Sequence, residues 1–238
     1  MKTTFLKLLI VALAVVTLGP LPSPAGTLNV SPVIVEMTGG TQASTLNISN
    51  PDATPAVVQV RIFAWDQENG TDRYQPTTEV MASPPIFTLP AGETQVVRVV
   101  APGPFPSEER SYRLVIDQVP DLSAKAQTIR VPIRIDLPVF LTPNISMSSR
   151  LEWRAEQSGS ELIIAATNTG KRWERLSDLS VTNGGGREIA RLPGLSGYVL
   201  AGSTRTWRFP ASASGSVLRV NANGDRGPVS AEAQIGGQ

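Results

Sequence analysis

The chain has 238 residues, with 21 Lys and Arg against 20 Asp and Glu, a formal charge of +1, and neither His nor Cys. Near-neutral charge gives no reason to expect attraction to nucleic acid or to an anionic membrane. Without His or Cys there is no disulfide framework, no thiol chemistry, no His-assisted hydrolase and no usual zinc site, and no catalytic constellation or metal ligand set is expected.

Residues 1–25 read as a secretory signal peptide. Lys2 and Lys7 precede an apolar run over 8–18, and the small residues Ser23 and Ala25 suit cleavage before Gly26. The run is too short to span a bilayer, and no Cys follows it to carry a lipid. Removing this segment leaves 19 basic and 20 acidic residues, about −1. About 213 residues then remain, enough for two sandwiches of roughly 100 residues each.

No segment after residue 25 keeps a helical period, whereas short alternating runs recur between turn signals. That pattern is all-β, and it predicts antiparallel sandwiches. In the first half it predicts strands over 27–37, 44–49, 56–65, 86–89, 94–101 and 112–119, followed by a long one. The punctuation between them is rich in Asn, Pro, Asp and Gly, notably at 50–52, 67–70, 90–92 and 102–106.

The long strand is TIRVPIRIDLPVFLTP, residues 128–143. Every odd position over 129–139 is Ile, Val or Leu, while Arg130, Pro132, Arg134, Asp136, Pro138 and Phe140 take the other face. Eleven extended residues span roughly 36 Å, well beyond the common strand length. Pro132 and Pro138 are both even, so they delete backbone donors toward one neighbour only. Proline in a sheet belongs to edges or bulges, so one flank is expected to be well paired and the other partly open. An open apolar edge needs a cover, whether a partner or a second copy of the free protein.

After residue 143 the pattern restarts, with strands predicted over 151–154, 161–168, 179–182, 188–192, 203–209 and 216–221. The expected boundary is a short connection near 142–148, giving domains over 26–143 and 147–230. The stretch 224–238 is poor in apolar residues and is expected to fray, with 231–238 as a disordered tail.

Other patterns carry less. Trp65 reads as a core aromatic. Gly184, Gly185 and Gly186 make a hairpin turn without the context of a phosphate loop. Asn29, Asn47 and Asn144 begin short N-x-S triplets, and Glu108 and Glu109 are adjacent in a polar loop, not facing each other across a groove.

Five blocks in order, TLNVSPVIVEMTGGTQASTLNISN, VQVRIFAWDQENGTDRY, ASPPIFTLPAGETQVVRVV, SYRLVIDQVP and IRIDLPVFL, resemble the periplasmic pilus-assembly chaperones of the chaperone-usher pathway. SPVIVEM and LPVF are most similar to the archaic, spore-coat-U-associated branch. The resemblance implies two immunoglobulin-like β-sandwich domains in a boomerang, with no cofactor. It also implies a partner, a pilin-like subunit that lacks its last strand and leaves an apolar groove. The last strand of the chaperone's first domain fills that groove, a form of strand addition, and an outer-membrane usher receives the subunit.

Carried over by position, the donor residues are Ile129, Val131, Ile133 and Ile135, with Leu137 a further one. The family's carboxylate anchor pairs a first-strand Arg with a last-strand Lys, but the first position falls at Pro32. Arg134 falls near the second, with Arg113 and Arg130 the other candidates, because a guanidinium suits two-pronged recognition of a carboxylate. Two rival classes are a structural pilin or adhesin of immunoglobulin-like modules and a carbohydrate-binding sandwich. The first would carry an N-terminal donor extension, and the second would cluster its aromatics, whereas the 13 here are spread thinly.

Overall fold

In a computed structural model, which describes residues 28–120, 132–213 and 215–236, the first half carries ten strands. They are β1 (Asn29–Ser31), β2 (Val35–Thr38), β3 (Ala43–Ser49), β4 (Ala56–Glu68), β5 (Thr71–Pro76), β6 (Met81–Ser83), β7 (Ile86–Leu89), β8 (Thr94–Val100), β9 (Arg110–Val119) and β10 (Arg134–Thr142). One sheet runs β1-β3-β8-β6. The second runs β2-β10-β9-β4-β5, with β7 also pairing along β4. Leu46, Ile48, Val97 and Val99 of the first sheet share one buried core with Val58, Val60, Leu114, Ile116, Val139 and Leu141 of the second. Alternate residues of each strand supply that core, as a period of two requires.

The strand expected over 27–37 is two strands in different sheets. β1 pairs with β3, and β2 runs parallel to β10. Pro32 lies at the break, where a residue without an N–H cannot continue a ladder. Sequence reading also missed β5, whose TDRYQP has no apolar alternation yet pairs residue by residue with the end of β4. The turn joining them is Asn69-Gly70, with φ of 52° and 78°. This is the left-handed pair that a tight hairpin requires.

The second half carries β11 (Leu151–Ser158), β12 (Glu161–Asn168), β13 (Glu174–Thr182), β14 (Glu188–Val199), β15 (Thr204–Phe209), β16 (Val217–Gly224) and β17 (Gly227–Ile235). They form one hydrogen-bonded run, β14-β13-β16-β17-β11-β12-β15, which folds over its own core. The expected fraying after 224, and the disordered tail from 231, are corrected. β17 pairs antiparallel with β16 along its length and parallel with β11 at Arg154↔Gln234 and Ala155↔Ile235. Its inward residues are Val229, Ala231, Ala233 and Ile235, with Ala233 fully buried. Low hydropathy therefore concealed a strand that closes the sandwich. Among the described residues there is no helix.

A third apolar cluster joins the halves. Trp65 of β4, Phe140 of β10, Trp173 just before β13, Tyr198 of β14 and Leu200 pack together, with Ile34 against them. Trp65 is thus buried, but in this junction and not in either sandwich. The β4–β5 hairpin reinforces the seam, because Thr206 donates its N–H to Gly70 O at 3.2 Å. A Cβ on Gly70 would overlap the Thr206 side chain. Gly70→Ala is therefore expected to cost about 1–3 kcal/mol through overpacking and the positive φ. A chemical denaturation midpoint equal to wild type would show that the hairpin does not dock on β15.

Candidate functional site

The two flanks of β10 differ. On one side β9 pairs antiparallel with it from Arg134↔Asp117 to Leu141↔Arg110. On the other, β2 covers only Val139, Phe140, Leu141 and Thr142. Among the described residues, no strand pairs with the second flank over 134–138.

The phase of the ladder explains why the prolines are tolerated. Gln118 donates its N–H to Ile133 O at 2.9 Å, so odd residues exchange hydrogen bonds with β9. Even residues point theirs away. Pro138 and Pro132 therefore lack N–H groups only toward the open side, and the β9 ladder is intact.

The side-chain faces divide along the strand. Leu137, Val139 and Leu141 belong to the first sandwich's own core, and Leu137 is only 6% exposed. Leu137, read as a further donor, is thus packed inside its own domain. Ile135 is half-buried at the rim of that core. Ile133, just before β10 begins, is also half-buried. Ile129, Val131 and Arg130 lie outside the described residues.

The structure also separates the arginine candidates. Arg134 is exposed, with Nε 3.4 Å from Asp117 Oδ1, and Arg61 grips the same carboxylate at 2.6 Å. Such exposed pairs contribute little. Arg113, opposite Pro138 on β9, is different, since its side chain is only 11% exposed. Its guanidinium carbon lies 3.7 Å from the Trp65 ring centroid and 5.4 Å from that of Tyr198, a cation–π cradle. Its Nε approaches Asp136 Oδ1 only to 3.8 Å, beyond hydrogen-bond reach, and is buried without a hydrogen-bond partner. Burial pushes the Asp136 carboxyl above its usual range, against the pull of Arg113 and Arg134.

Across the junction lies a group that sequence reading did not find. Arg205 of β15 pairs with Asp72 of β5 at 2.7 Å, and its Nε is likewise buried with no hydrogen-bond partner. Burial opposes the charge on Asp72, but hydrogen bonds from Gln67, Arg205 and Trp65 prevail and hold its carboxyl below the usual range. Burial raises the nearby Tyr74 phenol, against the pull of Arg113 and Arg205. No local pattern could have joined residues 72, 113 and 205, because the packing of the two halves brings them together. At Pro32, between β1 and β2, no charge is supplied, and the neighbouring Val33 is 61% exposed.

Residues 27–146 match the model of the pili and flagellar-assembly chaperone, PapD N-terminal domain. The chain belongs to this family. YhcA of Escherichia coli K12, described as an uncharacterized fimbrial chaperone, is 30% identical over 129 residues, 51% of this chain and 54% of that one. The chain thus spans about half the length of the curated relative it matches. Among solved structures, it resembles one from the CsuC–CsuE chaperone–tip adhesion subunit pre-assembly complex of the archaic Csu pili of Acinetobacter baumannii. That match has 22% identity and a TM-score of 0.70, covering 89% of this chain and 100% of that one. The E. coli chaperone DraB gives 20%, 0.61, 89% and 98% in the same order. The Salmonella enterica SafA pilin–SafB chaperone complex gives 23%, 0.61, 86% and 95%. At these identities the likeness establishes the fold, two immunoglobulin-like β-sandwich domains.

Proposed function

We propose that this chaperone acts in the periplasm, captures pilin-like subunits by lending them the open edge of β10, and passes them to an outer-membrane usher. One observation carries the reading: over 134–138 the flank of β10 away from β9 has no strand partner among the described residues, and it lies beside the half-buried Ile133 and Ile135. A subunit strand added there would gain a ladder and cover apolar surface in one step. Ile129 and Val131 extend the same alternation toward the N-terminal end of the strand. The Lys2, Lys7 and 8–18 pattern supports export. SPVIVEM, LPVF and the fold shared with a Csu structure support placement in the archaic branch.

Arg113 takes the role of the carboxylate anchor. Its buried, unpartnered Nε–H and its cradle of Trp65 and Tyr198 favour it over the exposed Arg134. Arg113→Ala is expected to weaken subunit binding about 10- to 100-fold, matching the roughly 1.5–3 kcal/mol of a charge-assisted hydrogen bond. Arg134→Ala is expected to change it less than threefold, at the scale of an exposed ion pair. Titration of a purified subunit by calorimetry separates the two, and the reverse ranking removes Arg113 from this role.

The reading as a whole is tested by periplasmic co-expression with a pilin-like subunit. A one-to-one complex, together with degradation of the subunit expressed alone, is the expected result. Equal survival of the subunit with and without the chaperone overturns it.

A further inference from the structure

The second seam between the halves is polar, and its hydrogen bonds cannot all form if every carboxylate is charged. Thr142, the last residue of β10, is fully buried. Its Oγ1 lies 3.2 Å from Glu36 Oε1 and 3.0 Å from Glu109 Oε2. A hydroxyl has one proton to donate, so with both carboxylates ionised one of these contacts sets lone pair against lone pair. Burial leaves no solvent at the hydroxyl to relieve the conflict.

The surroundings decide which carboxylate is neutral. Glu36, on β2, has its own cation: Arg172 Nη2 lies 2.8 Å from Oε1 and 3.1 Å from Oε2. Glu109 has no cation in contact. Its Oε1 accepts the backbone N–H of Trp173 at 2.6 Å, and its Oε2 meets only the contested hydroxyl. The remaining charges nearby are engaged elsewhere. Lys171 reaches Glu108 at 3.5 Å, and Arg110 pairs with Glu79 at 2.5 Å.

We infer that Glu109 carries a proton in the folded chaperone at mildly acidic to neutral pH, and that this proton completes the Glu109–Thr142–Glu36 chain on which Trp173 and Arg172 of the second half dock. A protonated Glu109 donates to Thr142 Oγ1, Thr142 donates to Glu36, and Glu109 Oε1 still accepts from Trp173. All three contacts are then satisfied in one direction. Burial, with Glu36 adding to it, pushes the Glu109 carboxyl up to about 7, against the hydrogen bonds from Trp173 and Thr142 and the charge of Arg172.

The sign follows from linkage. A carboxyl whose folded pKa exceeds its unfolded value binds more protons when folded. Its stabilisation is complete below the unfolded value, near 4.5, and is lost as pH rises toward about 7. The contribution of Glu109 to the stability of the fold is therefore full in acid and is lost through neutrality.

Two measurements on the full chain, neither involving a subunit, test this. The side-chain carboxyl carbon of Glu109, assigned by through-bond NMR in 13C-labelled protein, is expected to titrate near 7, and a midpoint at or below about 5, the ordinary range, overturns the inference. In thermal unfolding, the wild-type melting temperature is expected to fall from pH 5 to pH 8. Glu109→Gln, whose amide can donate to Thr142 and accept from Trp173, is expected to show a flatter profile. Equal pH slopes in the two proteins also overturn it.

Discussion

Ile133→Asp is expected to abolish subunit capture while leaving the free chaperone folded. Burying one isoleucine in a partner's groove contributes about 1.5–3 kcal/mol. An unpaired carboxylate in the same apolar site adds a desolvation cost of at least comparable size. The combined loss, about 4 kcal/mol or more, corresponds to roughly a thousandfold in affinity. In the free protein the same change should cost under about 1 kcal/mol, because Ile133 is half-buried and precedes the first residue of β10. Co-purification with a tagged subunit, alongside a thermal melt of the variant alone, reads both quantities. Wild-type capture by a folded Ile133→Asp protein sinks the donor assignment. Leu137→Asp provides a contrast, because Leu137 is packed in the chaperone's own core and its loss should appear first as unfolding.

The largest stability effect is expected at Phe140. Its side chain is fully buried, stacked on Trp173 at 4.6 Å and 13°, and tilted against Trp65 and Tyr198 at 6.0 and 6.1 Å. Phe140→Ala removes a ring from the centre of a cluster contributed by both halves, where the cavity cannot readily collapse. A loss of about 3–5 kcal/mol is expected, a large fraction of the 5–15 kcal/mol that typically holds a folded protein. Because the cluster joins two sandwiches with cores of their own, the variant should unfold in two separated steps where the wild type unfolds in one. Urea unfolding followed by tryptophan fluorescence and by far-UV circular dichroism distinguishes these outcomes. A single transition displaced by less than about 1 kcal/mol would mean that the aromatic cluster is not what couples the halves.

Much of this was legible in the order of residues. The strands at 44–49, 86–89 and 161–168 coincide with β3, β7 and β12 apart from a residue at the ends, since their alternation is strong and their turns are marked. Strands without such a signal were missed or misread. β5 is polar because its outward face meets solvent and the other half, and β17 alternates Val229, Ala231, Ala233 and Ile235 with polar residues, but two of those four are alanine and its hydropathy stays low. The site was legible in the same partial way. The alternation of the last strand is a local property, whereas the pairing of Arg205 with Asp72 is not, since the two are 133 residues apart.

By itself the sequence determined the phase of the last strand: which residues share a face, and that both prolines spare the same ladder. Both follow from the two-residue period of extended backbone, which needs no knowledge of neighbours. Only the tertiary structure decided how that strand is divided. β2 covers it from Val139 onward and the core claims Leu137, so Ile133 and Ile135 remain at the open end. The same packing buries Arg113 against Trp65 and sets Glu109 and Glu36 on one hydroxyl. Those choices rest on contacts between distant segments, and hydrophobic burial selects them only when the whole chain is folded.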